Sequence, residues 1–187
     1  MHDSAVHSSA GKGGPSAEFE PVMPATLREA LSRFASGIVV ITVGGGEPHA
    51  MTANAFSSVS LDPPSVLCCV SHTAVMHGAI EKSRSFGISI LTAEQKDLAV
   101  HFANKKRPLG IRQFDDVQWQ PGERTGAPLL AGALAWLECD LADAYVAGDH
   151  SIFLANVLAS TVGRKRSGLL FFEGAFREVA SSPHAPR

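Results

Sequence analysis

Residues 38–43 read Ile-Val-Val-Ile-Thr-Val, and Gly44-Gly45-Gly46 follows at once. Six β-branched side chains in a row are stiff at χ1 and crowd a helix, whereas a pleated strand accommodates them. The three glycines then let the chain reverse, and a second strand is expected from about Ala50 to Ala55. A hairpin this early has to be built into whatever sheet the rest of the chain supplies.

The segments that follow are mostly strands. Asp62-Pro63-Pro64 reads as a rigid turn, because both prolines fix φ and neither donates to a ladder. Val66 to Val70 is a continuous apolar strand, and Phe86 to Leu91 another. Residues 74–83 and 94–102 have helical character, the second with Leu98 and Phe102 four apart on one face. Residues 103–128 are polar and carry Gly and Pro, a long excursion. Three more strand segments follow, at about 133–147, 151–160 and 168–179. Upstream, Thr26-Leu27-Arg28-Glu29 has the form of a capping box. Leu27, Leu31 and Phe34 then mark one face of a helix that Gly37 would stop. Six or seven strands that do not alternate with helices disfavour a doubly wound parallel sheet. The expectation is a mostly β fold, an antiparallel barrel with short peripheral helices. Residues 1–20 lack any apolar period and are expected to be a tail. One domain is expected over 21–180, with a short C-terminal tail at 181–187.

Several functions are excluded by what is missing. The net charge is −2, and the most basic run is only Arg164-Lys165-Arg166, so nothing points to nucleic acid. Cys68 and Cys69 would face opposite ways on a strand, and with Cys139 they read as buried reduced thiols, not a zinc knuckle. His72 and His77 lie five apart and would not share a helical face, so no metal site is expected, and His101 reads as a surface residue. Asp115-Asp116 reads as a solvated pair. No HExxH, GxSxG or strand-linked GxGxxG is present. No membrane span and no basic-then-apolar leader is seen, and a cytoplasmic location is expected.

Two stretches could carry chemistry. Residues 52–60, Thr-Ala-Asn-Ala-Phe-Ser-Ser-Val-Ser, gather small hydroxyls before a buried strand. Small side chains leave backbone N–H groups accessible, and hydroxyls can donate beside them to an anion without any lysine. The alternative is a serine-rich turn with no ligand. In Gly148-Asp149-His150, a turn delivers a histidine to a strand mouth, where it could hydrogen-bond a ligand or merely complete the turn with Asp149.

Taken together, RFASGIVVIT (33–42), MTANAFSSVSLDPPSVLCCV (51–70), FGISIL with QKDLAVHFA (86–103), GDHSIFLANVL (148–158) and GLLFFEGAFREV (168–179) resemble the short-chain flavin reductases. These are the reductase components of two-component flavin-dependent monooxygenases, with an FMN-binding split-barrel fold. The resemblance implies flavin contacts at Thr52, Ala53, Asn54, Ser57, Ser58 and Ser60, with Cys69, Val70, Ser71, Phe102 and Ala103 as further positions. It implies a nicotinamide side formed by Ser36, Gly37 and His150. Two departures stand out. His72-Thr73-Ala74-Val75 replaces a more serine-rich turn, and Phe176 stands where tyrosine is commoner.

The implied activity is hydride transfer from NADH or NADPH to FMN or FAD, which needs no metal and no nucleophile. His150 would orient the nicotinamide. The implied partners are the two cofactors, a monooxygenase that receives the reduced flavin, and a second copy of the chain in a homodimer. Two other readings of the same fold are a protein that holds FMN without turnover and an oxidase of the pyridoxamine-phosphate oxidase type. The oxidase would want basic residues around a substrate phosphate, and the expected pocket is short of them.

Overall fold

The computed structural model of the chain describes residues 21–180; the two expected tails lie outside the described residues. Helix α1 (Pro24–Ser32) leads to β1 (Ser36–Gly37), β2 (Val39–Val43), β3 (His49–Ala53), β4 (Phe56–Leu61) and β5 (Pro64–Ser71). Helix α2 (Val75–Ser83), β6 (Ser85–Ile90) and α3 (Lys96–Ala103) follow. A 3-10 turn at Gly110–Phe114 precedes a short pair, β7 (Trp119–Pro121) and β8 (Pro128–Leu130). Two long strands, β9 (Ala135–Ala147) and β10 (His150–Val162), then give way to the hairpin β11 (Gly168–Phe172) and β12 (Ala175–Val179).

Seven strands form one antiparallel sheet in the order β3-β2-β6-β9-β10-β5-β4. Its two edge strands, β3 and β4, are neighbours in sequence and are joined only by Asn54 and Ala55. Two edges tied by two residues cannot lie far apart, so the sheet must curl almost to closure. The curl is helped by irregularities in the β9–β10 register at Leu154/Ala155 and Val157/Ala159, because bulges bend a strand and increase its twist. Closure is not completed by a ladder between β3 and β4. The barrel is therefore split, and Asn54-Ala55 bridges the split.

A second, three-stranded sheet, β1-β11-β12, lies beside this seam. Between the two sheets runs the β-branched segment. Val39, Ile41 and Val43 enter the barrel core with Phe86, Ile88, Phe153 and Met76. Ile38 and Val40 enter a second core with Leu91, Phe102, Phe114 and Leu169. Burial on both faces explains why this run is continuously apolar where a half-exposed strand would alternate. By contrast, β5 alternates as a one-sided strand should. Val66, Cys68 and Val70 are buried, while Leu67, Cys69 and Ser71 lie on the outer face.

Several sequence expectations are corrected. Helix α1 begins at Pro24 with Met23 as N-cap and no side-chain cap, so Thr26 to Glu29 is not a capping box. Proline at the first position is already preset for the helix. Gly37 does not stop it; the cap is Arg33, and Gly37 pairs with Leu170 in β1. Nor is the face of α1 buried: Leu27, Leu31 and Phe34 are 49%, 61% and 75% exposed. The serine-rich connection is largely the edge strand β4, which pairs with β5. The long excursion holds the β7–β8 pair. Cys69 is only half buried, unlike Cys68 and Cys139. His101 is not simply a surface residue, since its Nε2 bonds the Gln113 carbonyl at 2.8 Å.

Candidate functional site

A cleft of about 480 Å³ opens at the seam, within the roughly 300–1,000 Å³ usual for small-molecule sites. Asn54, Ala55, Phe56 and Ser57 form one wall. Ser36, Gly37 and the end of the α1 region, with Leu31, Phe34 and Ala35, form the other, and Leu67 and Cys69 of β5 form its floor. A smaller cavity of about 150 Å³ shares Asn54 and adds Ile38, Thr52, Ala103, Phe171 and Phe176.

Of the residues expected from sequence, the structure thus brings together Ser36, Gly37, Thr52, Asn54, Ser57, Cys69 and Ala103. Their side chains differ in what they have left to offer. Thr52 Oγ1 donates to the Ala99 carbonyl at 2.7 Å, tying β3 to α3. Asn54 Nδ2 donates to Ser36 Oγ at 3.1 Å across the cleft wall, so these two are held as a pair. Ser57 Oγ makes only a local contact, at 3.0 Å to the Ser58 carbonyl. At Gly37 a Cβ would meet nothing within 4 Å, so the missing side chain leaves space in the cleft itself.

Other expected residues lie elsewhere. Ala53 and Val70 point into the barrel core, and the Phe102 ring is fully buried against Phe114 at 5.6 Å, so only its neighbour Ala103 reaches the cavity. Ser60 caps the Asp62 turn through bonds of 3.0 Å, the role of a turn serine. Ser58 lines neither cavity. Ser71 bonds Thr73 Oγ1 at 3.1 Å.

His150 occupies a specific place relative to the cleft. It pairs with Ser71, while Ile152 pairs with Cys69 and Leu154 with Leu67. Directly paired residues share a sheet face, so His150 is on the same outer face as the cleft floor, two residues, or about 7 Å, beyond Cys69. Its Nδ1 lies 2.8 Å from Asp149 Oδ1. A carboxylate can only accept, so Nδ1 carries the hydrogen and Nε2 is left for a ligand. The hydrogen bond from His150 holds the Asp149 carboxyl below its usual range, aided by the charges of His150 and His72.

Sequence reasoning missed Leu31, Phe34, Phe56, Leu67 and Phe171 as lining residues, while Phe176, the position where tyrosine is commoner, does line the smaller cavity. The period of two places Leu67 beside Cys69, and an unburied helix face is implied once α1 has no core to join. Phe171, edge to face with Phe176 at 5.7 Å, has no signal because its place depends on the second sheet meeting the first. Another cleft, about 460 Å³, lies at the far end of β3 between Gly44–Glu47 and α2. None of the expected residues lines it, and its buried polar wall, His49, is already engaged by Arg107 and Gln113.

The residues of the seam suit a flat, partly apolar molecule with hydrogen-bonding edges. Leu67, Cys69, Phe34 and Phe56 supply surface for a ring, and Ser57, Asn54 and Ser36 supply polar atoms at one side. Among the described residues no group of three His, Cys, Asp or Glu is arranged to hold a metal ion.

Residues 31–180 match the family of flavin reductase like domains. An NADH-dependent FAD reductase of Streptomyces globisporus is 48% identical over 167 residues, 89% of this chain and 92% of that protein. The reductase subunit HsaB of a flavin-dependent monooxygenase from Mycobacterium tuberculosis is 32% identical, over 87% of this chain and 86% of its own length. The crystal structure of BorF, the flavin reductase component of a bacterial two-component tryptophan halogenase, superposes with a TM-score of 0.82 at 50% identity. That match covers 84% of this chain and 99% of BorF.

Proposed function

The chain belongs to the flavin reductase like family, and from that premise we propose how this oxidoreductase uses its seam. It is an NAD(P)H-dependent flavin reductase, and bound flavin supplies the acceptor for a hydride from the reduced nicotinamide. The flavin ring would lie against Leu67 and Cys69 between Phe34 and Phe56, with its polar edge toward Asn54 and Ser57. His150 would contact the nicotinamide from the end of the same sheet face. The observation that carries this is the shared face: the rung of His150 and Ser71 is the next one on the same face after that of Ile152 and Cys69 in the β5–β10 ladder.

The protein's contribution is arrangement. A rigid β floor holds two flat molecules in contact and replaces a bimolecular encounter. The Asp149 contact fixes the His150 tautomer. The second N–H of Asn54 and the O–H of Ser36 can donate to the flavin edge where negative charge accumulates on reduction, and Ser57 Oγ can accept. Reduced flavin then passes to a partner flavin-dependent monooxygenase.

We further propose a homodimer working in the cytoplasm. The exposed stripe of Leu27, Leu31 and Phe34 on the α1 side of the cleft supports the dimer, as do the exposed Tyr145 and Val146 near the tip of the β9–β10 hairpin. Three unpaired cysteines suit a reducing compartment.

The test is NADH oxidation with FMN, FAD or no flavin added. Turnover should depend on added flavin and saturate with it. His150→Ala should raise the nicotinamide KM roughly tenfold, as loss of a hydrogen bond to a charged or polarised ligand group does, with the flavin KM changed less than twofold. A larger change in the flavin KM than in the nicotinamide KM would remove His150 from the nicotinamide contact.

A further inference from the structure

His72 and His77, which sequence spacing keeps apart, meet at Ser151. His77 Nε2 lies 2.8 Å from Ser151 Oγ and His72 Nε2 lies 3.2 Å from the same atom. The two imidazoles stand edge to face with centroids 5.1 Å apart. His77 Nδ1 is 3.4 Å from Glu81 Oε2, one turn along α2. The Phe153 ring closes the remaining side of His77 at 5.0 Å.

The Ser151 hydroxyl has one hydrogen to give, so it donates to one of the two Nε2 atoms and accepts an N–H from the other. His72 also gives its backbone N–H to the Asp149 carbonyl at 3.0 Å. The Asp149 carboxylate in turn holds His150 Nδ1 at 2.8 Å. One connected chain of contacts thus runs from α2 to the ring of His150. Ser151 is buried, and as the next residue on a strand it points to the opposite face from His150, so it cannot touch a ligand on the cleft face.

We propose that His77 and Ser151 are positioning residues for the nicotinamide contact: they fix the Gly148–His150 turn from inside the barrel so that His150 meets its ligand in one orientation. This rests on the role of His150 as the nicotinamide contact. The strand ladder alone holds the backbone of this turn from one side. The Ser151–His77 bond anchors it to α2, and the His72 bonds keep the turn after β5 in register with it.

The test measures NADH and flavin KM separately for Ser151→Ala, His77→Phe, His77→Gln and His150→Ala, and for the double variant His150→Ala with Ser151→Ala. Ser151→Ala and His77→Phe should raise the NADH KM roughly fivefold, since small displacements of a positioned group are felt strongly. The flavin KM should stay within about twofold. His77→Gln keeps a hydrogen-bonding partner for Ser151 Oγ, able to donate or accept, and should restore most of the loss. In the His150→Ala background, Ser151→Ala should add nothing further, because two residues acting through one contact are not additive.

Ser151→Ala leaving the NADH KM unchanged while His150→Ala raises it would overturn this inference alone. So would a Ser151→Ala effect that persists undiminished without His150. No effect of His150→Ala itself would remove the role of His150, and this inference with it. Should Ser151→Ala fail to fold, the His77 pair decides the question: equal KM values for His77→Phe and His77→Gln would overturn the proposal.

Discussion

Strand β3 has two ends built by opposite rules. At Ala50 the polar groups beside the 460 Å³ cleft are all engaged with one another, and in that sense the end is closed. The buried Gln113 side chain accepts the Ala50 N–H at 2.8 Å and donates to the Pro48 and Gly110 carbonyls at 2.9 Å each. Arg107 adds a bond to the Ala50 carbonyl, and His49 sits between Arg107 and Gln113. At the other end, Asn54 leaves the ladder, the side chains are small, and apolar surface of Phe34 and Leu67 stands beside solvent. A satisfied polar cluster specifies and stabilises; a seam left open can bind.

The comparison breaks first at the closed end. Gln113→Leu leaves the Ala50 N–H and two carbonyls without their side-chain partner, and should cost about 3 kcal/mol. A thermal melt would read this as a Tm lower by roughly 6 to 12 °C, with flavin KM unchanged in the protein that remains folded. Equal stability would mean that the cluster is not what holds this end.

At the open end the same size of change should fall on binding. Gly37→Leu places a side chain in free space of the cleft and should leave Tm nearly unchanged while raising the flavin KM tenfold or more. A normal flavin KM would move the flavin out of this cleft.

Acid should act on the closed end as well. Burial, with the nearby Arg107 charge, pushes His49 down from 6.5 to about 4. Between these values the unfolded chain binds the proton and the folded one does not. Stability from a neutral His49 is therefore whole above pH 6.5 and is lost as pH falls toward 4. Between pH 7.5 and 4.5 the loss is on the order of 2 kcal/mol. Denaturant melts at pH 7.5 and 4.5 should show it, and His49→Asn should flatten that dependence. The smallest effect belongs to one hydroxyl at the seam: Ser57→Ala should raise the flavin KM about threefold, measured by steady-state kinetics.

Much of this contrast is legible in the sequence. The β-branched run, the alternation in β5 and the small side chains of 52–57 each follow from local chemistry, and they locate the barrel and the seam. The resemblance carried by those same stretches supplied the identity of the ligand. The capping box failed because Pro24 starts the helix earlier than Thr26 could. Ser58 and Ser60 do not line the cleft because β4 is a strand with a turn of its own, and Ser60 is spent on that turn. Phe102 and Val70 were placed by sequence beside the right elements but on their inner faces, which strand and helix boundaries alone cannot reveal.

What the sequence determined by itself was which segments form strands and which residues stay small, since propensity and periodicity act over a few neighbours. Only the tertiary structure decided that Asn54-Ala55 bridges a split and that His150 shares a face with Cys69. It alone brought His72, His77 and Ser151 together. Those facts depend on how far a seven-stranded sheet curls, and curl is set by the summed twist of all its strands and by bulges in the longest two. No window of sequence contains that sum.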